Sequence, residues 1–259
     1  KLEIGTGMDT ANKPPEDADR EFKVLGQRHR KVDSMDRLTG VAKYADDIVL
    51  PRMLHAKILR SPFAHARVLR VDTESAKRLP GVRAVVTGAD HPDSNWGMML
   101  ADQPIYAVDR VRYVGEAVAG VAAVDEDAAL DALALIQVEH EELPPLFDPA
   151  EAMASGASLL HPNLGQYACN RKLFAPVPGT NICNHFKLRR GDVEAGFRRS
   201  DRIFEDTFEI PMVQHCPLEP HACVAQFSSQ GKLTLWSNTQ GPYLTREQVA
   251  KGLKLLQSD

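Results

Sequence analysis

The stretch Val111–Pro144, VRYVGEAVAGVAAVDEDAALDALALIQVEHEELP, decides the fold. Ala117 to Val124 is an unbroken run of small apolar residues, the pattern of a strand covered on both faces. Asp125 follows as a helix cap, with Glu126 and Asp127 in the first turn, where the helix dipole favours negative charge. Leu130 and Leu133 supply the inner stripe of that helix. Ile136, Val138 and His140 then alternate with Gln137, Glu139 and Glu141, the period of a half-buried strand. Strand, helix and strand in about thirty residues predict a right-handed crossover.

The chain on the N-terminal side repeats this order. Ala66 to Val71 is strand-like, Asp72 can cap a short helix over Thr73 to Leu79, Pro80-Gly81 stops it, and Val82 to Thr87 returns as a strand. Both helices follow a Val-Asp pair, Val71-Asp72 and Val124-Asp125, so an internal repeat is open. Earlier still, Met53 to Arg60 alternates, with Leu54, Ala56 and Ile58 on one face. His91 to Gln103 is rich in Pro, Asp, Asn and Gly and reads as a loop. The basic run Arg28 to Lys31 has no glycine-rich loop or helix start beside it, and reads as a solvated turn.

Beyond Leu143-Pro144-Pro145 the pattern changes. Phe147 to Leu160 is a linker with a short Ala-rich helix, and His161 to Asn181 is loop-like. Asn184 to Leu188 can form a strand, Gly191-Asp192 starts a helix over Val193 to Arg199, and Arg202 to Ile210 alternates as a strand. Then comes QHCPLEPHACVAQFSSQGKLTLWSNTQGPYLTREQVAKGLKLL, residues 214–256. Ala222 to Phe227 reads as a strand, Ser228 to Gly231 as a hairpin turn, and Leu233 and Leu235 mark the return strand. Thr245 with Gln248 reads as a capping box, and Val249, Leu253 and Leu256 follow at helical spacing. Gln240 thus lies in a loop between the C-terminal end of a strand and the start of a helix, where ligands bind in α/β crevices. An amide there can also do no more than hydrogen-bond its own loop.

Composition narrows the classes. The chain has 259 residues, 43% hydrophobic and 25% charged, with a formal net charge of −4. That gives room for one large or two modest cores and no electrostatic case for nucleic acid or an anionic membrane. No apolar run reaches transmembrane length and the first residues do not resemble a secretory signal, so we expect a cytoplasmic protein. Cys169, Cys183, Cys216 and Cys223 make no CxxC pair and read as free thiols in a reducing compartment. His215, Cys216, His221 and Cys223 lack zinc spacing, and a buried histidine with small apolar thiols is the preferred reading. Glu219 lies between prolines in an apolar stretch; if buried it needs donors, and backbone amides of the neighbouring loop are the simplest source. No nucleophile elbow, P-loop or G-x-G-x-x-G occurs.

Two longer segments carry a family resemblance. LHAKILRSPFAHARVLRVDTESAKRLPGVRAVVTGAD, from Leu54, and the stretch from Val111 resemble the α/β hammerhead domain of the molybdenum hydroxylases, the xanthine oxidase and aldehyde oxidase family. Lys31-Val32-Asp33, Thr39-Gly40 and a short strand Val41 to Tyr44 resemble the family's lead-in, with Lys in place of the common Arg. The Leu-Glu-Pro-His-x-Cys-x-Ala strand and the Thr-Gln loop before a helix resemble the first part of its molybdopterin-binding region.

The resemblance implies an α+β protein: a polar arm over 1–22, a lead-in and hammerhead domain over 23–149, and an incomplete first part of a molybdopterin-binding domain over 150–259. It implies that Gln240 approaches the oxo ligand of molybdenum in a molybdopterin cofactor, in its cytosine dinucleotide form. It assigns no catalytic and no metal-ligating residue to this stretch. The implied activity is oxidative hydroxylation of a heteroaromatic, aldehyde or related carbon centre with water-derived oxygen, with electrons passing to iron-sulfur clusters and FAD on partner subunits. The implied partners are an iron-sulfur subunit, a flavin subunit, a small-molecule substrate and the rest of the large subunit, as a separate chain or a continuation. The family's glycine-rich loop and its glutamate base have no counterpart before Asp259. The strand Lys232 to Ser237 and the helix after it should therefore need covering by another segment. The rival expectation is a non-catalytic scaffold that uses the hammerhead as an assembly surface.

Overall fold

A computed structural model of the chain describes residues 23–258. The polar arm over 1–22 lies outside the described residues. In chain order the elements are α1 (Ser34–Thr39), β1 (His55–Arg60), β2 (Ala66–Asp72), α2 (Glu74–Arg78), β3 (Val82–Thr87), β4 (Asn95–Trp96), β5 (Gln103–Pro104), β6 (Arg110–Val111), β7 (Ala117–Ala123), α3 (Glu126–Ala134), β8 (Gln137–Glu142), α4 (Pro149–Met153), α5 (Val193–Arg199), β9 (Cys223–Phe227), β10 (Leu233–Ser237) and α6 (Pro242–Leu253).

The strand β7 is the spine of the first domain. It is the middle of a three-stranded sheet in the order β1-β7-β3, antiparallel on both sides. Its apolar run is unbroken because each face meets a different core. Ala119, Val121 and Ala123 join Ala76, Ala129, Ala132 and Ile136 in one cluster, while Val118 joins Ala66, Ala107 and Val111 in the other. Val71 and Val138, paired across β2 and β8, pack against both clusters. The helix α3 lies over β1 and β7 and begins where the charge pattern places it, with the Asp125 carboxylate accepting from the Ala128 amide at 2.8 Å.

The connection between β7 and β8 is not a crossover within one sheet. β8 belongs to a second sheet, β6-β2-β8, so α3 carries the chain from one sheet to the other. α2 does the converse, from β2 in the second sheet to β3 in the first. The two strand–helix–strand units therefore exchange strands. β2 pairs with β8, β3 pairs with β7, and α2 touches α3. The Val-Asp repeat marks the same junction in both units; Asp72 accepts from the Glu74 amide at 3.1 Å, as Asp125 does from Ala128.

Other expectations change. The buried face of α3 is Ala129 and Ala132, with Leu133 packed against the same core as expected, whereas Leu130 is 47% exposed. On β1 it is Leu59 that packs on the core, whereas Ile58 is 44% exposed. Val41 to Tyr44 and Asn184 to Leu188 form no strand. Nor does Arg202 to Ile210, an extended segment without a ladder whose Phe204, Phe208 and Ile210 are 83%, 85% and 88% exposed. α6 starts four residues earlier than the Thr245 cap predicts, with Gly241 at the cap position, because Pro242 suits the first helical position. Gln248 is free of any capping role and accepts instead from the Gly97 amide at 3.1 Å, joining α6 to the loop between β4 and β5.

A strap over 148–183 is hydrogen-bonded to the first domain and within itself. Arg110 donates to the Leu159 carbonyl, the Ala101 amide to the Ala168 carbonyl, and the Asn181 side chain accepts from the Leu160 amide while donating to the Ala152 and Ser158 carbonyls. Under the strap His161 stands 3.2 Å from the Tyr167 hydroxyl and 4.0 Å from Asp102. Burial first, then the Arg112 and Arg110 charges, hold the imidazole pKa down at about 4.

Candidate functional site

The hairpin β9–β10 forms as its residues dictate. Leu233 to Ser237 pair antiparallel with Phe227 to Cys223. Gly231, at φ 79°, closes the turn in a conformation open to glycine, and the Ser228 hydroxyl accepts from the Gln230 and Lys232 amides. After Ser237 the chain leaves the ladder, passes Asn238, Thr239, Gln240 and Gly241, and enters α6 at Pro242. Gln240 therefore occupies the position read from sequence, past a strand's C-terminal end and before a helix start.

Both flanks of Gln240 are pinned. The Asn238 amide donates to the Pro220 carbonyl at 2.8 Å and accepts from the Ala222 amide at 3.3 Å. The Thr239 hydroxyl shares a 2.8 Å hydrogen bond with Thr245 and accepts from the Gly241 amide at 3.2 Å. Gln240 itself is exposed, and no group among the described residues hydrogen-bonds its amide. No side chain caps the N-terminus of α6 beside it.

Gln240 borders a groove of about 1030 Å³. Tyr44, Ile48, Glu219, His221, Trp236 and Asn238 line it. Glu219 is half-buried, and no amide among the described residues donates to it, so the donors expected from the neighbouring loop are not supplied. A second cleft, about 560 Å³, lies between β10 and α6 and is lined by Leu233, Leu235, Val249 and Leu255.

The cysteines and histidines of this stretch do not converge. Cys183, Cys216 and Cys223 are exposed free thiols and Cys169 is half-buried, so Cys223 is not the core residue its strand suggests. His215 and His221 are exposed too. No group of three or more His, Cys, Asp or Glu among the described residues is placed to hold a metal ion. None of their helices is long and apolar enough to cross a membrane. Sequence reasoning missed Asn238 and the use made of Thr239 and Thr245; an Asn one residue past a strand end was the available signal.

Two family models match this architecture and give its class, a hammerhead followed by part of a molybdopterin-binding domain. Residues 39–144 match the family model described as aldehyde oxidase and xanthine dehydrogenase, a/b hammerhead domain, and residues 174–259 match the molybdopterin cofactor-binding domain. The chain belongs to the aldehyde oxidase and xanthine dehydrogenase family. It is 39% identical over 220 residues to a probable xanthine dehydrogenase subunit of Bacillus subtilis, covering 85% of this chain and 27% of that protein. It is 34% identical over 237 residues to the nicotinate dehydrogenase large molybdopterin subunit of Eubacterium barkeri, covering 91% of this chain and 52% of that one. The crystal structure of quinoline 2-oxidoreductase from Pseudomonas putida 86 superposes with a TM-score of 0.74 at 31% identity, over 92% of this chain and 30% of its own. The chain thus spans from about a quarter to about half the length of these relatives.

Proposed function

We propose that this chain is part of the catalytic large subunit of a molybdenum-dependent hydroxylase, cytoplasmic, acting on a heteroaromatic, aldehyde or related carbon centre with water-derived oxygen. Its parts are the polar arm over 1–22, the lead-in and hammerhead over 23–149, and the first portion of the molybdopterin-binding domain over 150–259. The observation that carries the reading is Gln240: an exposed amide without a partner among the described residues, pinned on both sides, at the rim of a large groove within the segment that matches the cofactor-binding model. Relatives named for xanthine and nicotinate, both heteroaromatic, support the substrate class.

The residues present fit the cofactor. The groove has the volume, no cluster of side-chain ligands among the described residues competes for the metal, and Gln240 offers one donor and one acceptor to a metal whose ligands arrive with the pterin. When bound, molybdopterin with its molybdenum, in the cytosine dinucleotide form, supplies two-electron oxidation at carbon. Gln240 orients; it transfers no proton, because a primary amide does not titrate near neutrality. Iron-sulfur and flavin subunits carry the electrons onward, and the remainder of the large subunit closes the groove.

Changing Gln240 to Ala in the assembled enzyme should lower kcat about tenfold to a hundredfold with molybdenum content unchanged, the range for loss of one oriented hydrogen bond or outer-sphere partner. Turnover equal to wild type in metal-replete enzyme would remove Gln240 from the site.

A further inference from the structure

The hairpin β9–β10 ends at the pair Ser237–Cys223, yet the hydrogen-bonding pattern continues one step further. The side chain of Asn238 takes the place of the next backbone rung. Its Nδ2 donates to the Pro220 carbonyl at 2.8 Å and its Oδ1 accepts from the Ala222 amide at 3.3 Å. A primary amide carries a donor and an acceptor on separate atoms, as a peptide unit does. With the rung made by a side chain, the main chain at 238 is released from the sheet and can turn toward α6. The Thr239 hydroxyl then fixes the far side of the turn to Gly241 and Thr245. The segment that Asn238 grips, Pro220 to Ala222, contains His221 and follows Glu219, and both residues line the groove that Gln240 borders.

We propose that Asn238 is a positioning residue, a side-chain rung that ties the Gln240 loop to the Pro220–Ala222 segment and so fixes where the Gln240 amide points. This rests on the reading of Gln240 as the cofactor-facing residue. Without the rung, the loop keeps its helix anchor and loses its sheet anchor, and an amide held on one side alone loses its orientation.

The test is a double-mutant cycle in the assembled, metal-replete enzyme with Asn238→Ala, Gln240→Ala and the pair, together with amide hydrogen exchange on the same proteins. Exchange at Ala222 should rise at least tenfold in Asn238→Ala and stay at the wild-type rate in Gln240→Ala. In Asn238→Asp, which keeps the acceptor and loses the donor, protection at Ala222 should be largely restored. Asn238→Ala should lower kcat about tenfold at unchanged KM, and should lower it no further when Gln240 is already Ala, since residues that act through one another are non-additive. An additive loss in the pair, or exchange at Ala222 unchanged by Asn238→Ala, overturns the rung while leaving Gln240 in place. Wild-type kcat in Gln240→Ala brings down the reading of Gln240 and the inference with it.

Discussion

The two halves of the chain use apolar residues in opposite ways. In the hammerhead, Ala119, Ala123, Ala129 and Ala132 have no exposed surface and Val118 and Val121 have 1% and 2%. Each face of β7 has its own partners, and two helices cross between two sheets to close the cores. In the segment before β9, Phe204, Phe208, Ile210 and Met212 stand 83% to 101% exposed on an extended backbone that pairs with nothing among the described residues. Both patterns are regular, an unbroken apolar run on β7 and an alternation over Arg202 to Ile210. What differs is whether the surface each pattern calls for lies within the same stretch of chain. The strand β7 finds its partners within the hammerhead, and the segment before β9 leaves its apolar side chains exposed.

The largest expected effect follows from that contrast. Residues 1–259 expressed alone should self-associate or require detergent, because exposed side chains of this size gain about 25 cal/mol per Å² on burial. Light scattering that reports a monomer with full secondary structure would break the comparison.

A Cβ at Gly88 would run into the Ala107 carbonyl, a backbone group that cannot swing away. Gly88→Ala should therefore destabilise the hammerhead by about 3 kcal/mol, the upper range for overpacking. Phe208→Ser, in the open segment, should change its unfolding midpoint by no more than about 0.5 kcal/mol equivalent. Equal effects from the two would show that the halves fold as one unit.

The strap over 148–183 should respond to acid. The folded pKa of His161, about 4, lies below the ordinary value of 6.5, so the folded state binds fewer protons than the unfolded one. Stability from this group is complete above about pH 6.5 and drains as pH falls toward about 4. The protection factor of the Ala101 amide, bonded to the strap at Ala168, should fall as pH drops through that window, and fall less steeply in His161→Gln. The opposite slope would contradict the burial of His161.

The smallest effect compares two helix caps of the same chemistry. Asp125 accepts from Ala128 at 2.8 Å and Asp192 from Ala195 at 2.9 Å. Each is worth about 1 kcal/mol to its helix. Only α3 of the two has residues buried in a core, so Asp125→Ala should lower the melting temperature of the hammerhead, while Asp192→Ala should leave it unchanged and fray α5 alone.

Element positions were legible where local chemistry decides them. The caps at Asp125 and Asp192, the Ser228–Gly231 turn and the both-faces strand at Ala117 are local facts and form as read. Facing was less legible, because it depends on which neighbours pack against each element: Ala129 and Ala132 join Leu133 on the packed side while Leu130 is exposed, and Leu59 displaces Ile58. Topology was not legible, since a strand–helix–strand pattern does not say whether its strands share a sheet. Arg202 to Ile210 has a strand's pattern without a partner to pair with among the described residues. At the site, the place of Gln240 was readable from the loop around it. The role of Asn238 was not, because its hydrogen bonds go to residues 16 and 18 positions away.

The central claim is that this chain holds part of a molybdopterin site in an assembled enzyme. It is tested most directly by purifying the native complex through this chain and measuring its metal, its pterin and its subunits. The expected result is one molybdenum and one pterin per copy of this chain, with iron-sulfur and flavin subunits and the rest of the large subunit in the same particle. A stable complex that contains this chain and neither molybdenum nor pterin would contradict it, and would leave the hammerhead as an assembly surface alone.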